Sequence, residues 1–556
     1  MSSWCFTKWY ILIVTSYASG LQGLLWMSYS IIPAVSKTFL QIGDGSSGDS
    51  VLLWLLNAGP IAYILTVTCA SATLDAANGL RSAVLWGSGM CLVAAVMRCI
   101  PLLFTQAWSP FKVDAAAQGE GGWPQYLLVP VFIAQIINAA AAPFTQASPS
   151  LLSQTWFGVN ERRTATAVAR VSNAGGRAIG FLIGPLLIHT ASDMPLFLAI
   201  HIVLAAIPMV AAVLYFPGAP ALAPSASAKL YGARGAEHEA HDDVSALLAG
   251  TAVEGGEAVG EGGALRDYAS ADALDADAGS SEALGRQRGS ASGGAHKSRR
   301  GAVVGAADAM RRVLSGAARV FFSKRRFGFL VIAFGLQMGG YGAWSGALTS
   351  VLTVDGVTAS KASWLGFGNT IAGMVGGTVA GFLTDCPALA KRLRLVMVVL
   401  ALAAAAAFLA PALALKPTQL FTMPYPAHVV LCTLSGLFRG ALDPLFFEMS
   451  TELAFVENVP AGTAGGALTV WCHAVMIIFL TTGIFFPGTL NNVMLLGMVG
   501  CMVLSALLTG LTKQDYRRTE MDLAAAGVVS PGARRPAWRP AYDADMYVAA
   551  GDPEEE

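Results

Sequence analysis

The feature that most constrains this chain is a series of long apolar runs, almost free of charge, separated by short breaks that hold the polar and turn residues. A bilayer core of about 30 Å needs roughly 20 apolar residues per helix, and within it every backbone N–H and C=O must be satisfied by the segment itself. Twelve segments meet that rule. In the first half they fall near 9–35, 51–74, 82–105, 125–152, 164–188 and 195–216; in the second they fall near 327–352, 362–384, 395–415, 426–452, 463–486 and 490–511. Gly59-Pro60, Ala142-Pro143 and Gly184-Pro185 interrupt several of them, which membrane helices tolerate better than soluble ones do. The first run is longer than a signal peptide's core and shows no small-residue cleavage site that stands out, so it reads as a true span. The expected fold is an all-α membrane protein with twelve transmembrane helices in two six-helix halves.

Composition agrees with a lipid solvent. Only 13% of the 556 residues are charged, about half the share in a globular domain. Of the 70 charges, 24 lie between 217 and 320 and 15 between 513 and 556, so the spans carry very few. A net charge of zero argues against nucleic acid as a partner, since phosphate binding needs surplus Lys and Arg. The 8 cysteines are scattered, with no CxxC pair and no metal-ligand spacing, so no disulfide framework, metal or cofactor is indicated. No GxxxxGK[ST] sequence is present, which argues against ATP as direct driver. An enzyme is the least favoured class, because no nucleophile, base and orienting group converge.

Lys and Arg in short loops set orientation. A cytoplasmic N-terminus puts Arg81, Arg162, Arg163, Lys324, Arg325, Arg326, Lys391, Arg392, Arg394, Lys513, Arg517 and Arg518 inside, and leaves only Lys37, Lys112, Lys361 and Lys416 outside. The expected organisation is a six-helix half over 1–216, a disordered cytoplasmic linker over 217–320, a second six-helix half over 321–512 and a cytoplasmic tail over 513–556. The linker has 12 acidic residues and one basic from 237 to 282, then 11 basic and one acidic from 286 to 326. It lacks the apolar surface to offset its chain entropy. From Met310 to Arg326, basic pairs alternate with Val313, Leu314, Val320, Phe321 and Phe322. That stretch reads either as an amphipathic helix on the anionic leaflet or as a basic flank that only sets topology. Asp243 to Leu247-Leu248 matches an acidic dileucine signal that sorting adaptors read, a pattern that also arises by chance in such a segment.

The two halves carry similar loops. After the second span comes Leu74-Asp75-Ala-Ala-Asn-Gly79-Leu80-Arg81, and after the eighth comes Gly381-Phe-Leu-Thr-Asp385 followed by Lys391 and Arg392. An Asp at a helix end followed by a turn and a cation can bridge helix termini of neighbouring bundles, so Asp75, Arg81, Asp385 and Arg392 are candidates for a conformational latch. This loop resembles the signature of the major facilitator superfamily, whose two halves rock about a central site; the first copy has Ser71 in place of the usual leading Gly.

Further blocks sharpen the resemblance. Leu21-Gln-Gly-Leu-Leu-Trp26-Met-Ser-Tyr29, Arg98-Cys-Ile-Pro101 and Trp156-Phe-Gly-Val-Asn160-Glu161-Arg162 with Thr164-Ala-Thr166 are similar to solute carrier family 49, the family of the feline leukaemia virus subgroup C receptors. In the second half, Gly342-Ala-Trp344-Ser-Gly346, Trp364-Leu-Gly366-Phe367 and Phe446-Phe-Glu448 with Glu452 resemble most the branch named for disrupted in renal carcinoma protein 2. The resemblance implies a secondary transporter of a small organic solute. Family cargo is choline, ethanolamine or haem-related, and in that branch pyridoxine is moved with protons across the lysosomal membrane. It also implies an endolysosomal, vacuolar or plasma membrane location. Ala142 before Pro143, where receptor members have Gln, and Gly342, where they have Tyr, weaken a choline reading.

Ionisable residues within spans are costly and mark candidate sites. The tenth span holds Arg439, Asp443, Glu448 and Glu452. Arg439 and Asp443 are one turn apart and are expected to neutralise one another. Glu452, with Glu448 a turn before it, matches a family position near the central cavity and is the expected proton-coupling acid, since a carboxylate in low dielectric tends to keep its proton. His473 is the second candidate for proton coupling, because an imidazole with an unperturbed pKa near 6.5 titrates in the physiological range. Trp26, Tyr29, Tyr341, Trp344, Asn369 and His473 are the expected substrate-binding set, with tryptophan faces suited to a planar ring or a quaternary cation. Asn138, Gln146 and Gln337 are weaker polar candidates. Arg98, Arg170 and Arg177 either pair with carboxylates, with Glu161 or another loop acid the expected partner of Arg170, or line the cavity and favour an anion. The expected protein is a monomeric transporter with protons and a small solute as partners. Its rival is a membrane sensor or receptor that binds without turnover.

Overall fold

The computed structural model describes residues 2–42, 46–76, 78–104, 128–158, 161–220, 224–225, 325–353, 355–385, 389, 392–416, 418–456, 461–486, 491 and 493–512. Twelve long helices form. The first half contains α1 (Ser2–Met27), α2 (Ser46–Asp75), α3 (Gly79–Phe104), α4 (Leu128–Gln146), α5 (Arg162–Leu187) and α6 (Met194–Leu214). The second contains α7 (Arg325–Thr353), α8 (Ala359–Asp385), α9 (Leu393–Ala414), α10 (Tyr425–Val456), α11 (Ala461–Phe485) and α12 (Met498–Leu511). Short helices at Pro33–Leu40 and Pro149–Trp156 continue α1 and α4 after a break, and a π-helical turn at Val493–Gly497 leads into α12. Among the described residues there is no strand. The amphipathic stretch before Arg325, the dileucine signal and the tail lie outside the described residues.

Ten segments are both long and apolar enough to cross a membrane. The two long helices that fail on hydropathy are α5 and α8, and the fold explains both. They pack on each other along their length, from Ala167 against Gly381 to Phe181 against Gly366, so their polar faces meet the opposite half instead of lipid. The other inter-half seam joins α2 to α11, again the second helix of one half against the fifth of the other. This repeated pairing is what two duplicated halves related by a pseudo-twofold axis require. Bulky apolar residues are left exposed on the outer helices α3, α6 and α9, among them Trp86, Val203, Leu214 and Leu395, as a surface suited to lipid.

The two faces of the seam differ in chemistry. On the face where α2 and α8 end and α5 and α11 begin, the halves are held by polar contacts. Thr463 donates a hydrogen bond to Asp75 at 2.7 Å, Arg163 donates to the carbonyl of Thr384 at 2.7 Å, and Arg163 Nε lies 3.5 Å from the Glu448 carboxylate. On the opposite face one continuous apolar cluster joins Leu52, Leu56 and Phe181 of the first half to Trp344, Leu348, Met476 and Phe479 of the second. Polar help there is sparse: Asn57 donates to Thr481 at 3.0 Å, and Thr349 donates to the carbonyl of Ile31 at 3.4 Å.

Candidate functional site

Between these two closures lies a cavity of about 90 Å³ at the centre of the seam, lined from both halves. Its first-half wall comes from Gln22 and Trp26 on α1, Gly59, Pro60 and Tyr63 on α2, Gln146 on α4, and Arg170, Asn173 and Arg177 on α5. Its second-half wall comes from Met338 and Tyr341 on α7, Gly373 and Met374 on α8, Arg439 and Asp443 on α10, and Thr469, Cys472, His473 and Met476 on α11. Glycine sets the close helix approaches that place this lining. A Cβ on Gly176 would overlap the backbone of Gly20, so α1 and α5 meet there without side chains between them. Asn173, three residues earlier, thereby donates to the Ser19 carbonyl at 2.8 Å and to Gln22 at 2.9 Å. Gly440 meets Gly373 in the same way and fixes α10 on α8 beside Arg439.

Three guanidiniums face this cavity and one carboxylate does. Asp443 takes a hydrogen bond from Arg170 Nη2 at 2.8 Å, and Arg170 also donates to the carbonyl of Gln146 at 2.8 Å. The expected Arg439–Asp443 pair is therefore corrected. The one-turn spacing puts both on one face of α10, but Asp443 is met by an arginine from the other half, while Arg439 stacks with its Cζ 3.4 Å from the ring centroid of Tyr341. The expected pairing of Arg170 with Glu161 or another loop acid is corrected as well, since its carboxylate is Asp443 within α10, while Glu161 accepts from Lys8 at 2.5 Å. Arg177 also lies beside Tyr341, 5.8 Å from its centroid. Among the described residues Arg177 and Arg439 form no ion pair, and Nε of each is buried without a hydrogen-bond partner. A well-desolvated cation–π contact is worth about 2 kcal/mol, whereas burying an unpaired charge costs several kcal/mol. Tyr341 alone does not offset two such charges.

His473 lies flat on Tyr63 across the α2–α11 seam, with centroids 3.6 Å apart and planes 9° from parallel. Its Nδ1 is 2.8 Å from the Thr469 carbonyl. A carbonyl only accepts, so Nδ1 carries the proton and Nε2 is the free acceptor. Trp26 is held by a hydrogen bond from Nε1 to the Leu56 carbonyl at 3.2 Å, which orients its ring along the wall.

The structure divides the expected residues. Trp26, Tyr341 and His473 line the cavity, while Tyr29, Trp344 and Asn369 do not. Tyr29 packs near Arg98, Trp344 is buried against Phe408 and Tyr341, and Asn369 donates to the Cys432 carbonyl at 2.6 Å. Glu448 faces Arg163 in the polar seam, and Glu452 is fully buried on α10 outside the lining. Of the latch residues, Asp75 bonds Thr463 of the other half, Arg81 and Arg392 are exposed, and the Asp385 side chain lies outside the described residues. Arg98 is not a cavity residue. It donates to Ser28 at 3.1 Å and to Gln135 at 2.6 Å, and Gln135 in turn holds the carbonyl of Trp26, so Arg98 pins the end of α1. Arg170 and Arg177 do line the cavity. Tyr63, Gln22 and Asn173 were absent from the expected set; the Gly59-Pro60 break just before Tyr63 was the one sequence signal near them.

No family model matches the chain. A solute carrier family 49 member 4 homolog from Xenopus laevis is 24% identical over 532 residues, covering 93% of each protein, and the homolog from Xenopus tropicalis is 25% identical over 552 residues. The choline/ethanolamine transporter FLVCR1 of Felis catus is 23% identical, covering 93% of this chain and 75% of that protein. Among solved structures, a D-xylose-proton symporter superposes with a TM-score of 0.57 at 12% identity over 92% of this chain and 99% of its own. The transporter FucP in an outward conformation gives 0.52 at 12% identity over 91% of this chain and all of its own. The described residues have the all-α fold of major facilitator transporters, and the likeness over most of the chain to solute carrier family 49 members, which are transporters and not enzymes, supports a multi-pass membrane transporter.

Proposed function

We propose that the protein is a secondary active transporter that carries a small organic solute through the central cavity by alternating access, coupled to protons. The observation that carries this reading is the cavity itself. It is built from both halves and bounded by two closures of different chemistry, one polar and one apolar, so that opening either leaves the other intact.

Among the solutes that the family resemblance implies, the walls suit a ring-bearing one such as pyridoxine. Trp26, Tyr341 and the stacked Tyr63 and His473 offer aromatic faces, and Gln22, Asn173 and His473 Nε2 offer hydrogen bonds. Choline fits less well, because two unpaired guanidiniums repel a quaternary ammonium at short range. His473 is the group in the lining best suited to carry a proton, and Glu452, buried outside the lining, is the second candidate. Uptake of labelled pyridoxine, choline and ethanolamine into proteoliposomes, with and without an inward proton gradient, tests the reading. Proton-stimulated pyridoxine uptake supports it; binding without flux for every solute favours a sensor.

A further inference from the structure

We infer that the cavity is built to take an organic oxyanion, a planar ring bearing a carboxylate or phosphate, with Arg177 and Arg439 as its two binding cations. The inference rests on the transport reading of this cavity, not on pyridoxine as its cargo, and names an anionic ring as the substrate class.

The charge inventory is the starting point. Arg170, Arg177 and Arg439 line the cavity against Asp443 alone, and Asp443 is engaged by Arg170 from both Nε at 3.3 Å and Nη2 at 2.8 Å. Arg170 is further occupied by the Gln146 carbonyl and by the Phe447 ring, 4.0 Å away. The other two share the Tyr341 ring but have no carboxylate. Arg439 is buried, its Nη1 meets only the sulfur of Met338 at 3.6 Å, and its Nε has no partner. Arg177 likewise has an unpartnered Nε. The neighbouring carboxylates do not supply the missing charge, since Glu448 is turned to Arg163 and neither it nor Glu452 lines the cavity.

Both cations lie beside the same ring. Arg177 and Arg439 lie 5.8 Å and 3.4 Å from the centroid of Tyr341, and they come from different halves, α5 and α10. A guanidinium has a planar fork of donors that matches a carboxylate or phosphate. An oxyanion held between them therefore neutralises both charges and bridges the halves. The remaining lining, Trp26, Tyr63 and His473, is aromatic and accommodates the ring. Such a ligand ties occupancy to closure, because each half contributes one of its cations.

Cys472 reports on this electrostatics directly, since its free thiol lines the same cavity. The full-length protein in proteoliposomes is treated with methanethiosulfonate reagents carrying a sulfonate, a trimethylammonium or no charge, and Cys472 modification is followed by peptide mass spectrometry. The sulfonate-to-ammonium rate ratio is expected to exceed that for free mercaptoethanol by about tenfold, the scale on which a charged cleft concentrates its counter-ion. It is expected to fall towards the mercaptoethanol value in Arg177→Gln and Arg439→Gln. Benzoate or phenyl phosphate is expected to slow modification by the neutral reagent, and whichever protects better identifies the head group; benzyl alcohol and benzyltrimethylammonium are expected not to protect. A wild-type ratio equal to that of mercaptoethanol overturns the inference even if neither variant folds. So does a ratio that survives both substitutions, equal protection by benzyl alcohol, or a thiol inert to all three reagents. Labelling selectivity needs no turnover, so absence of flux for pyridoxine, benzoate and phenyl phosphate alike with the selectivity intact counts against the transport reading alone.

Discussion

Arg170 on α5 reaches across the seam and places Nη2 2.8 Å and Nε 3.3 Å from the same carboxylate oxygen of Asp443 on α10. The pair spans the two halves and occupies the cavity's one carboxylate, which is why the other two guanidiniums remain uncompensated. Removing one partner of a buried pair leaves an isolated charge and costs about 3–5 kcal/mol. Asp443→Asn is therefore expected to lower the thermal unfolding temperature sharply, and Arg170→Gln/Asp443→Asn is expected to recover part of the loss. A double variant as unstable as the single one contradicts the pairing.

The Tyr63–His473 stack joins the halves one helix pair away. His473→Gln keeps a hydrogen-bonding side chain but removes the titratable ring. Proton-driven uptake is expected to fall towards its gradient-free level while exchange of preloaded solute persists. Glu452→Gln is the parallel test of the second candidate: if it alone uncouples flux from the gradient, the proton is carried outside the cavity lining.

The polar closure predicts a shift in conformational population. Thr463→Val removes the donor to Asp75 without changing side-chain shape much, and a hydrogen bond to a charged group contributes about 1.5–3 kcal/mol. Even the lower figure is a factor of about ten in an equilibrium. Modification of Cys472 by a membrane-impermeant thiol reagent applied to the face carrying Thr463 is expected to accelerate by roughly that factor. An unchanged rate would show that Asp75–Thr463 does not hold that face closed.

Gly440 tests packing apart from charge. A methyl there would run into the Gly373 backbone, and overpacking a tight contact costs about 1–3 kcal/mol. Gly440→Ala is expected to lower unfolding temperature and abundance, whereas Gly500→Ala, whose Cβ would meet nothing within 4 Å, is expected to be neutral.

Much of the architecture was legible in the sequence because one solvent imposes it: each span had to be long, apolar and self-satisfied in hydrogen bonds. Even α5 and α8, which fall short in mean hydropathy, were legible as apolar runs near 164–188 and 362–384. The site was less legible. Arg170 finds Asp443 273 residues away and Thr463 finds Asp75 388 residues away, and no periodicity within a helix reports a partner supplied by the other half. For the same reason the local reading of Arg439 and Asp443 as a one-turn pair did not hold. Trp344 and Trp26 occupy comparable places on α7 and α1, yet only Trp26 reaches the cavity, because Phe408 and Tyr341 enclose Trp344.

The central claim is that solute crosses the membrane through the cavity between the halves. Uptake of labelled pyridoxine into proteoliposomes, compared between the wild-type chain and Trp26→Ala under an inward proton gradient, tests it most directly. Loss of one aromatic wall removes about 0.5–1.5 kcal/mol beyond its buried area, so saturable, gradient-stimulated uptake is expected in the wild type, with a several-fold higher KM in the variant at unchanged abundance. Solute binding without accumulation in the wild type, or identical kinetics in Trp26→Ala, would contradict the account.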